Sequence, residues 1–382
     1  MKRILTLDGG GVRGIFTLQI LSRIEALLRE ERQAPDLVLA DVFDLVAGTS
    51  TGAIIAAFLA LRKPVAEIER LYMEFGPFMF QREPWYRQWK RKYRADAVAD
   101  FFRQHFSEDE DHEKPVLMGS PQIAVKLLIL MRNATTGSPW PVTNHPDAHY
   151  NDRSRPDCNL NVPLWKLLRA STAAPTYFAP ERVEFGRHKF LFVDGGVTPF
   201  NNPSLIAVLM ATLPQYRFNW PSGREALHVI SVGTGTERVH LPDKVAEQIT
   251  VMDQLKFAVP ALIDAASQHE DMMCRALGDC VFGAPLDNEL GALSGAGPSL
   301  LSGEQKRFTY VRYNQEFNVA TPEGPVQELD MRLDRIANMP AYQKAGKEYA
   351  EANVRLEHLY PRPAHERISA GPDHTVPMAP TD

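Results

Sequence analysis

The sequence predicts an α/β fold: a three-layer α/β/α core around a mostly parallel central sheet, with a C-terminal helical extension. Three observations carry this. Short apolar runs alternate with stretches of helical periodicity through the first 240 residues or so, glycine-rich segments sit at the strand-to-helix junctions, and beyond about residue 240 the pattern turns mostly helical. Strands that alternate with helices pair in parallel and are covered on both faces.

The first strand is Arg3 to Leu7, an apolar run stopped by Asp8 and three glycines. From Gly14 to about Glu31, Ile15, Leu18, Leu21, Ile24, Leu27 and Leu28 recur at helical spacing with charges between them. A second strand, around Phe43 to Ala47, ends at Gly48, and a very apolar helix follows from Ala53 to Leu61. That run is far below the roughly 20 residues needed to span a bilayer, so core burial is its expected role. Further strands are expected at Ile123 to Met131, Lys189 to Val193 and Leu227 to Val232. Helices are expected at Val65 to Phe75, Ala95 to His105, Pro163 to Ala170 and Pro203 to Thr212, then at Val251 to Leu277 and Val326 to Leu359. The domain reading is a core over 1–240, a helical extension over 241–360 packed on it, and a disordered tail over 361–382, where 22 residues contain five prolines. No internal repeat is visible.

Composition narrows the function. The 382 residues, 44% hydrophobic and 23% charged, suffice for a substantial core and argue against global disorder. With 42 basic against 47 acidic side chains, the net charge of −5 speaks against a nucleic-acid protein relying on general basicity. Cys158, Cys274 and Cys280 cannot all pair and match no zinc spacing, which points to free thiols in a reducing compartment. Met1-Lys2-Arg3 opens like a signal peptide, but Asp8 ends the apolar stretch too early, so the expected location is cytoplasmic.

Three motifs carry chemistry. Gly9-Gly10-Gly11-Val12-Arg13-Gly14 lies between a strand and a helix. It satisfies the dinucleotide-binding G-x-G-x-x-G pattern, yet the second strand ends in Val46-Ala47-Gly48 without the carboxylate that would hold a ribose. Converging backbone N–H groups at a helix N-terminus also suit an oxyanion hole. Gly48-Thr49-Ser50-Thr51-Gly52 occupies another strand-to-helix junction and fits a nucleophile elbow, whose strained serine requires small neighbours. Its plainer reading is a Gly/Ser/Thr turn capping the next helix. Asp194-Gly195-Gly196 follows an apolar strand, which puts a carboxylate at the crevice where open α/β sheets bind ligands; alone, an Asp opening a tight turn reads equally well.

Taken in order, these motifs resemble the hallmarks of the patatin-like phospholipases: G-G-G-x-R-G, G-x-S-x-G and D-G-[AG]. Ala170 to Phe178 and Ser231-Val232-Gly233-Thr234-Gly235 add matching text, so the resemblance covers roughly Arg3 to Gly235 and, more loosely, the region beyond. It implies a patatin-like fold and a Ser50–Asp194 dyad. Ser50 would be the nucleophile, Asp194 the base, and the N–H groups around Gly10 and Gly11 the oxyanion hole, with Arg13 steadying the loop or adding positive potential. It also implies calcium-independent chemistry, hence no metal and no cofactor, and a phospholipid substrate at a membrane surface. Some bacterial members are effectors switched on by a cyclic nucleotide, so such an activator is a possible partner. A Ser-Asp-His triad stays open as the alternative, because His228, His240 and His269 follow Asp194, although none lies in a glycine-flanked loop at a strand end. A nucleotide-binding loop at Gly9–Gly14 is the more distant alternative.

Tyr72 to Arg94 holds eight aromatics in 23 residues and six basic residues against Glu74 and Glu83. Trp85, Trp89, Lys90 and Arg91 are its candidates for a lid or for contact with the inner face of a membrane. A surface helix packed by its aromatics is the plainer reading. No nucleic-acid module accompanies the patch. The acids Glu108 to Asp111 and Glu113 lack a calcium-loop pattern and read as a solvated loop.

Overall fold

Among the described residues a mixed sheet of nine strands forms the middle layer, in the order β5-β6-β3-β2-β1-β7-β9-β8 with β4 alongside β3. Its strands are β1 (Lys2–Leu7), β2 (Leu45–Thr49), β3 (Lys126–Asn133), β4 (Ser138–Thr143), β5 (Glu181–Phe185), β6 (His188–Asp194), β7 (Leu227–Val232), β8 (Asp279–Phe282) and β9 (Thr309–Tyr313). The computed structural model describes residues 1–79, 95–237, 249–287, 289–294, 301, 305–318, 320–321, 324–325 and 329–360. Trp85, Trp89, Lys90, Arg91, His240 and the 361–382 tail lie outside the described residues.

From β3 through β2, β1, β7 and β9 to β8 every pairing is parallel, while β4, β5 and β6 pair antiparallel. The helices are α1 (Gly14–Glu31), α2 (Thr51–Ala60), α3 (Val65–Met79), α4 (Ala95–His105), α5 (Leu164–Ser171), α6 (Ser204–Thr212), α7 (Val251–Leu277), α8 (Met339–Asn353) and α9 (Leu356–Leu359). Alternation along the strands divides the core in two. Leu5, Val46, Ile129 and Ile230 pack with α1, α2, α3 and α5 on one face, while Ile4, Leu45, Leu128 and Val229 pack with α6 and Cys274 of α7 on the other. All ten residues of α2 are buried, which is why its sequence is apolar on every side. No helix among the described residues is long and apolar enough to cross a membrane.

Several expectations are corrected. The second strand runs two residues later than Phe43–Ala47, carrying Gly48 and Thr49 in the sheet, and α2 starts at Thr51. The region beyond 240 is not only helical, because β8 and β9 extend the parallel sheet past β7. The single helix expected over Val326–Leu359 begins only at Met339. Within 329–338 the chain instead forms a strap ending in a single 3-10 turn at Ile336–Asn338: Asn318 brackets Leu329, and Asn338 and, from α8, Tyr342 donate to the Asp330 carbonyl.

The pairing pattern on β3 positions the site. Leu130 pairs with Thr49 of β2 and the next residue, Met131, pairs with Asp194 of β6. Since β4 takes the other edge of β3, β2 and β6 share one edge and meet end to end. Ser50 and the Asp194 side chain, 144 positions apart, are thereby brought together.

Candidate active site

Ser50 stands between β2 and α2 with φ 53° and ψ −122°, a conformation that costs a non-glycine residue strain. The flanking glycines are dictated by close backbone approach. A Cβ on Gly48 would lie 2.2 Å from the Gly52 carbonyl oxygen, and one on Gly52 would lie 2.3 Å from that of Leu7. Ser50 Oγ donates to Asp194 Oδ2 at 2.6 Å. Its own N–H donates to Ser171 Oγ at 2.9 Å, and Ser171 in turn donates to the Leu130 carbonyl. Thr49 ties the elbow to the far side of the site through a 2.7 Å bond to the Phe200 carbonyl, and the Thr51 hydroxyl contacts Tyr72.

Asp194 is 5% exposed. Burial pushes its pKa up to about 6, against the opposing pull of the Ser50 hydroxyl, the Gly196 N–H and the Arg169 charge. The Gly196 N–H holds Oδ1 at 2.7 Å, which leaves Oδ2 to Ser50. Gly195 passes so close to β3 that a Cβ would fall 2.5 Å from the Leu130 carbonyl oxygen. The chemistry of the pair follows from its geometry: an ionised carboxylate shielded from water accepts a hydrogen bond from a hydroxyl held in a strained, forward position.

The glycine loop faces the same point. A Cβ on Gly9 would sit 3.2 Å from that of Ser50. Gly11 needs its positive φ of 57°, and any side chain there would meet the Leu333 carbonyl. Within the loop, the N–H groups of Gly9, Val12 and Arg13 donate to the carbonyls of Asn201, Leu333 and Gly10. Gly14 caps the turn by donating to Gly11 and Val12. Among the described residues, the N–H groups of Gly10 and Gly11 have no protein acceptor. Arg13 bonds the carbonyls of Gly235 and Gly10, so it braces the loop.

No histidine among the described residues hydrogen-bonds Ser50 or Asp194. His228 pairs with Arg3 near the start of β7, whereas Val232 lies beside Leu7. Four residues of strand, about 13 Å, separate it from the crevice end of the sheet. His269 is exposed on α7.

The family model described as patatin-like phospholipase matches residues 5–208. The chain belongs to the patatin-like phospholipases. A cGAMP-activated phospholipase of Vibrio cholerae is 29% identical over 254 residues, covering 63% of this chain and 66% of that protein. Patatin-16 of Solanum tuberosum is 25% identical over 290 residues, 70% of each chain. The 85/88 kDa calcium-independent phospholipase A2 of Rattus norvegicus is 31% identical over 212 residues, 54% of this chain and 23% of its own. The aligned part of this chain thus spans just under two thirds of the Vibrio relative.

Sequence reasoning missed three contributors to this patatin-like site. Ser171 lay within the Ala170–Phe178 text but received no role; its hydroxyl holds the backbone of Ser50. Asn201, just after the Asp194 loop, stands between that loop and Gly9: a Cβ on Gly9 or Gly196 would meet its Oδ1 at 2.5 or 3.0 Å. Its amide also reaches Ser267 of α7. Asp8 registered only as the end of an apolar run, yet it forms a buried ion pair with Arg312. The acidic segment after residue 107 is a loop closed on itself, with Asp109 accepting from the Ser107 hydroxyl and the Lys114 N–H.

Proposed function

We propose that the protein is a serine acyl hydrolase of phospholipase A or lysophospholipase type, cleaving fatty-acyl esters of membrane glycerophospholipids. The observation that carries the reading is the 2.6 Å bond from Ser50 Oγ to the buried Asp194 carboxylate, at a strained strand-to-helix turn. Ser50 attacks the acyl carbonyl while Asp194 takes its proton. The tetrahedral oxyanion receives the N–H groups of Gly10 and Gly11, which have no acceptor among the described residues. Asp194 then gives its proton to the departing alcohol, and repeats the base role as water opens the acyl-enzyme. A base near pKa 6 is stronger than an ordinary aspartate and is still mostly ionised at neutral pH. Phospholipid as substrate is supported by family membership and by the phospholipases among the relatives.

An active-site fluorophosphonate should label the wild type and not Ser50→Ala. Mixed bilayers incubated with the protein should release fatty acid and lysolipid, detected by mass spectrometry, and Ser50→Ala should release none. Full esterase activity in Ser50→Ala would overturn the reading. Two relatives named as cGAMP-activated support a cyclic nucleotide as activator. Activity that rises on adding a cyclic dinucleotide would bear this out, and equal activity without one would remove it. Peripheral contact with the inner membrane face, through Trp85, Trp89, Lys90 and Arg91, belongs to the same proposal. Flotation with anionic vesicles tests it.

A further inference from the structure

Beneath the glycine loop lies a charge pair that the proposed chemistry does not use. Asp8 stands between the end of β1 and Gly9, and Arg312 is the fourth of the five residues of β9. Both are almost fully buried. The pairing is bidentate, with Arg312 Nη1 to Asp8 Oδ1 at 2.9 Å and Nη2 to Oδ2 at 2.6 Å, across the intervening strand β7. Arg312 Nη1 also donates to Ser231 Oγ at 2.8 Å. Ser231 and Ser204 donate to Asn202 Oδ1, so the network reaches the residue next to Asn201, whose carbonyl accepts the Gly9 N–H. Arg312 is therefore linked to Gly9 by two routes, one through Asp8 and one through Ser231 and the Asn202–Asn201 step.

The other face of the same loop is held by the strap. The Leu333 carbonyl accepts the Val12 N–H, and Thr234 beyond β7 donates to the Gly9 carbonyl. With these N–H and carbonyl groups occupied from outside, the Gly10 and Gly11 N–H groups are left for the site side. Both Arg312 and the strap lie outside the 5–208 span matched by the family model.

We propose that Arg312 is a positioning residue for acyl transfer: through Asp8 and Ser231 it fixes the Gly9–Gly11 turn in its oxyanion-binding shape, so that residues after 240 complete the site. The proposal rests on the hydrolase reading above. A buried carboxylate directly before the loop would, without its partner, put an uncompensated negative charge beside a developing oxyanion and pull the turn toward any other donor. A planar, forked guanidinium can neutralise Asp8 and hold both its oxygens and Ser231 at once; an ammonium cannot reproduce that geometry.

Two variants test this, Arg312→Lys and the neutral double variant Asp8→Asn/Arg312→Gln, assayed as the full chain on a short-chain ester. Deleting one oxyanion donor lowers kcat by about 10²–10³, so a displaced donor should cost about 10- to 100-fold, with KM within about threefold of wild type. The second-order rate of fluorophosphonate labelling should fall in parallel, because the phosphonyl oxygen uses the same donors. Wild-type kcat in a folded variant overturns the proposal, as does a loss confined to KM. If the double variant fails to fold, Arg312→Lys decides, and if neither folds the pair is a determinant of the fold alone and the proposal fails. A wild type that is neither active nor labelled would instead count against the hydrolase reading, and is read before any variant.

Discussion

Placing the candidate base in a buried position has a stability consequence that can be measured apart from activity. Burial lifts the Asp194 pKa to about 6, whereas an unfolded chain returns it to about 3.9. The folded state therefore binds the proton more tightly, so the contribution of Asp194 to stability is full below the unfolded value and is lost as pH rises through 6. A change of that size corresponds to about 3 kcal/mol in all, of which about half falls between about pH 5 and pH 8. Asp194→Asn keeps an oxygen for the Gly196 N–H and an amide for Ser50, but carries no charge to desolvate. Urea unfolding of both proteins at the two pH values should show wild type losing about 1 kcal/mol more than Asp194→Asn on going from acid to alkaline. The variant should also be the more stable protein at the higher pH and should have no hydrolase activity. In wild type, kcat/KM should rise with pH along an acid limb near 6, because only the ionised carboxylate can take the Ser50 proton. A limb near 4, or equal pH dependence of stability in the two proteins, would refute the argument that burial sets the strength of this base.

Other expectations follow from single contacts. Ser171→Ala removes the acceptor of the Ser50 N–H and should cost about 1–3 kcal/mol in chemical denaturation together with a lowered kcat, since the elbow loses its anchor. Gly52→Ala brings a Cβ within 2.3 Å of the Leu7 carbonyl oxygen, between β1 and the elbow; fluorophosphonate labelling should drop more than 100-fold or the protein should fail to fold, and wild-type labelling would contradict the packing described. Glu270 on α7 is buried, and desolvation raises its pKa to about 7, so its contribution to stability is lost as pH rises through 7. Glu270→Gln should raise the melting temperature more at pH 8 than at pH 6.

The elements legible in the sequence are those with one dominant signal. β1, β7, α4 and α7 were found at or within a residue of their ends because apolar runs and helical spacing coincide with local stops. The Ser50 and Asp194 motifs are legible because glycine is forced wherever a Cβ would fall within 2–3 Å of a neighbouring backbone. The missed strands fail this test for identifiable reasons. In β4, Pro139 and Pro141 read as breakers, but among the described residues β4 pairs with β3 alone, and an edge strand tolerates residues that lack an N–H. β5, with Glu181, Arg182 and Glu184 in five residues, and β8, with four residues, are too polar or too short to register.

β9 is the instructive failure. Thr309-Tyr310-Val311-Arg312-Tyr313 is buried at every position, yet the guanidinium of its fourth residue breaks the apolar run by which a buried strand is recognised. That charge is tolerated only because Asp8, more than 300 residues earlier, neutralises it with two hydrogen bonds. A pairing of that kind has no local signature, since each partner alone reads as a surface charge. The same holds for 329–338, whose charged residues imitate a helix face while its carbonyls serve Val12, Asn338 and Tyr342. What conceals these segments from hydrophobic periodicity is thus what joins them to the glycine loop. The late part of the chain reads as a helical extension because the buried polar groups that tie it to the glycine loop carry no periodicity of their own.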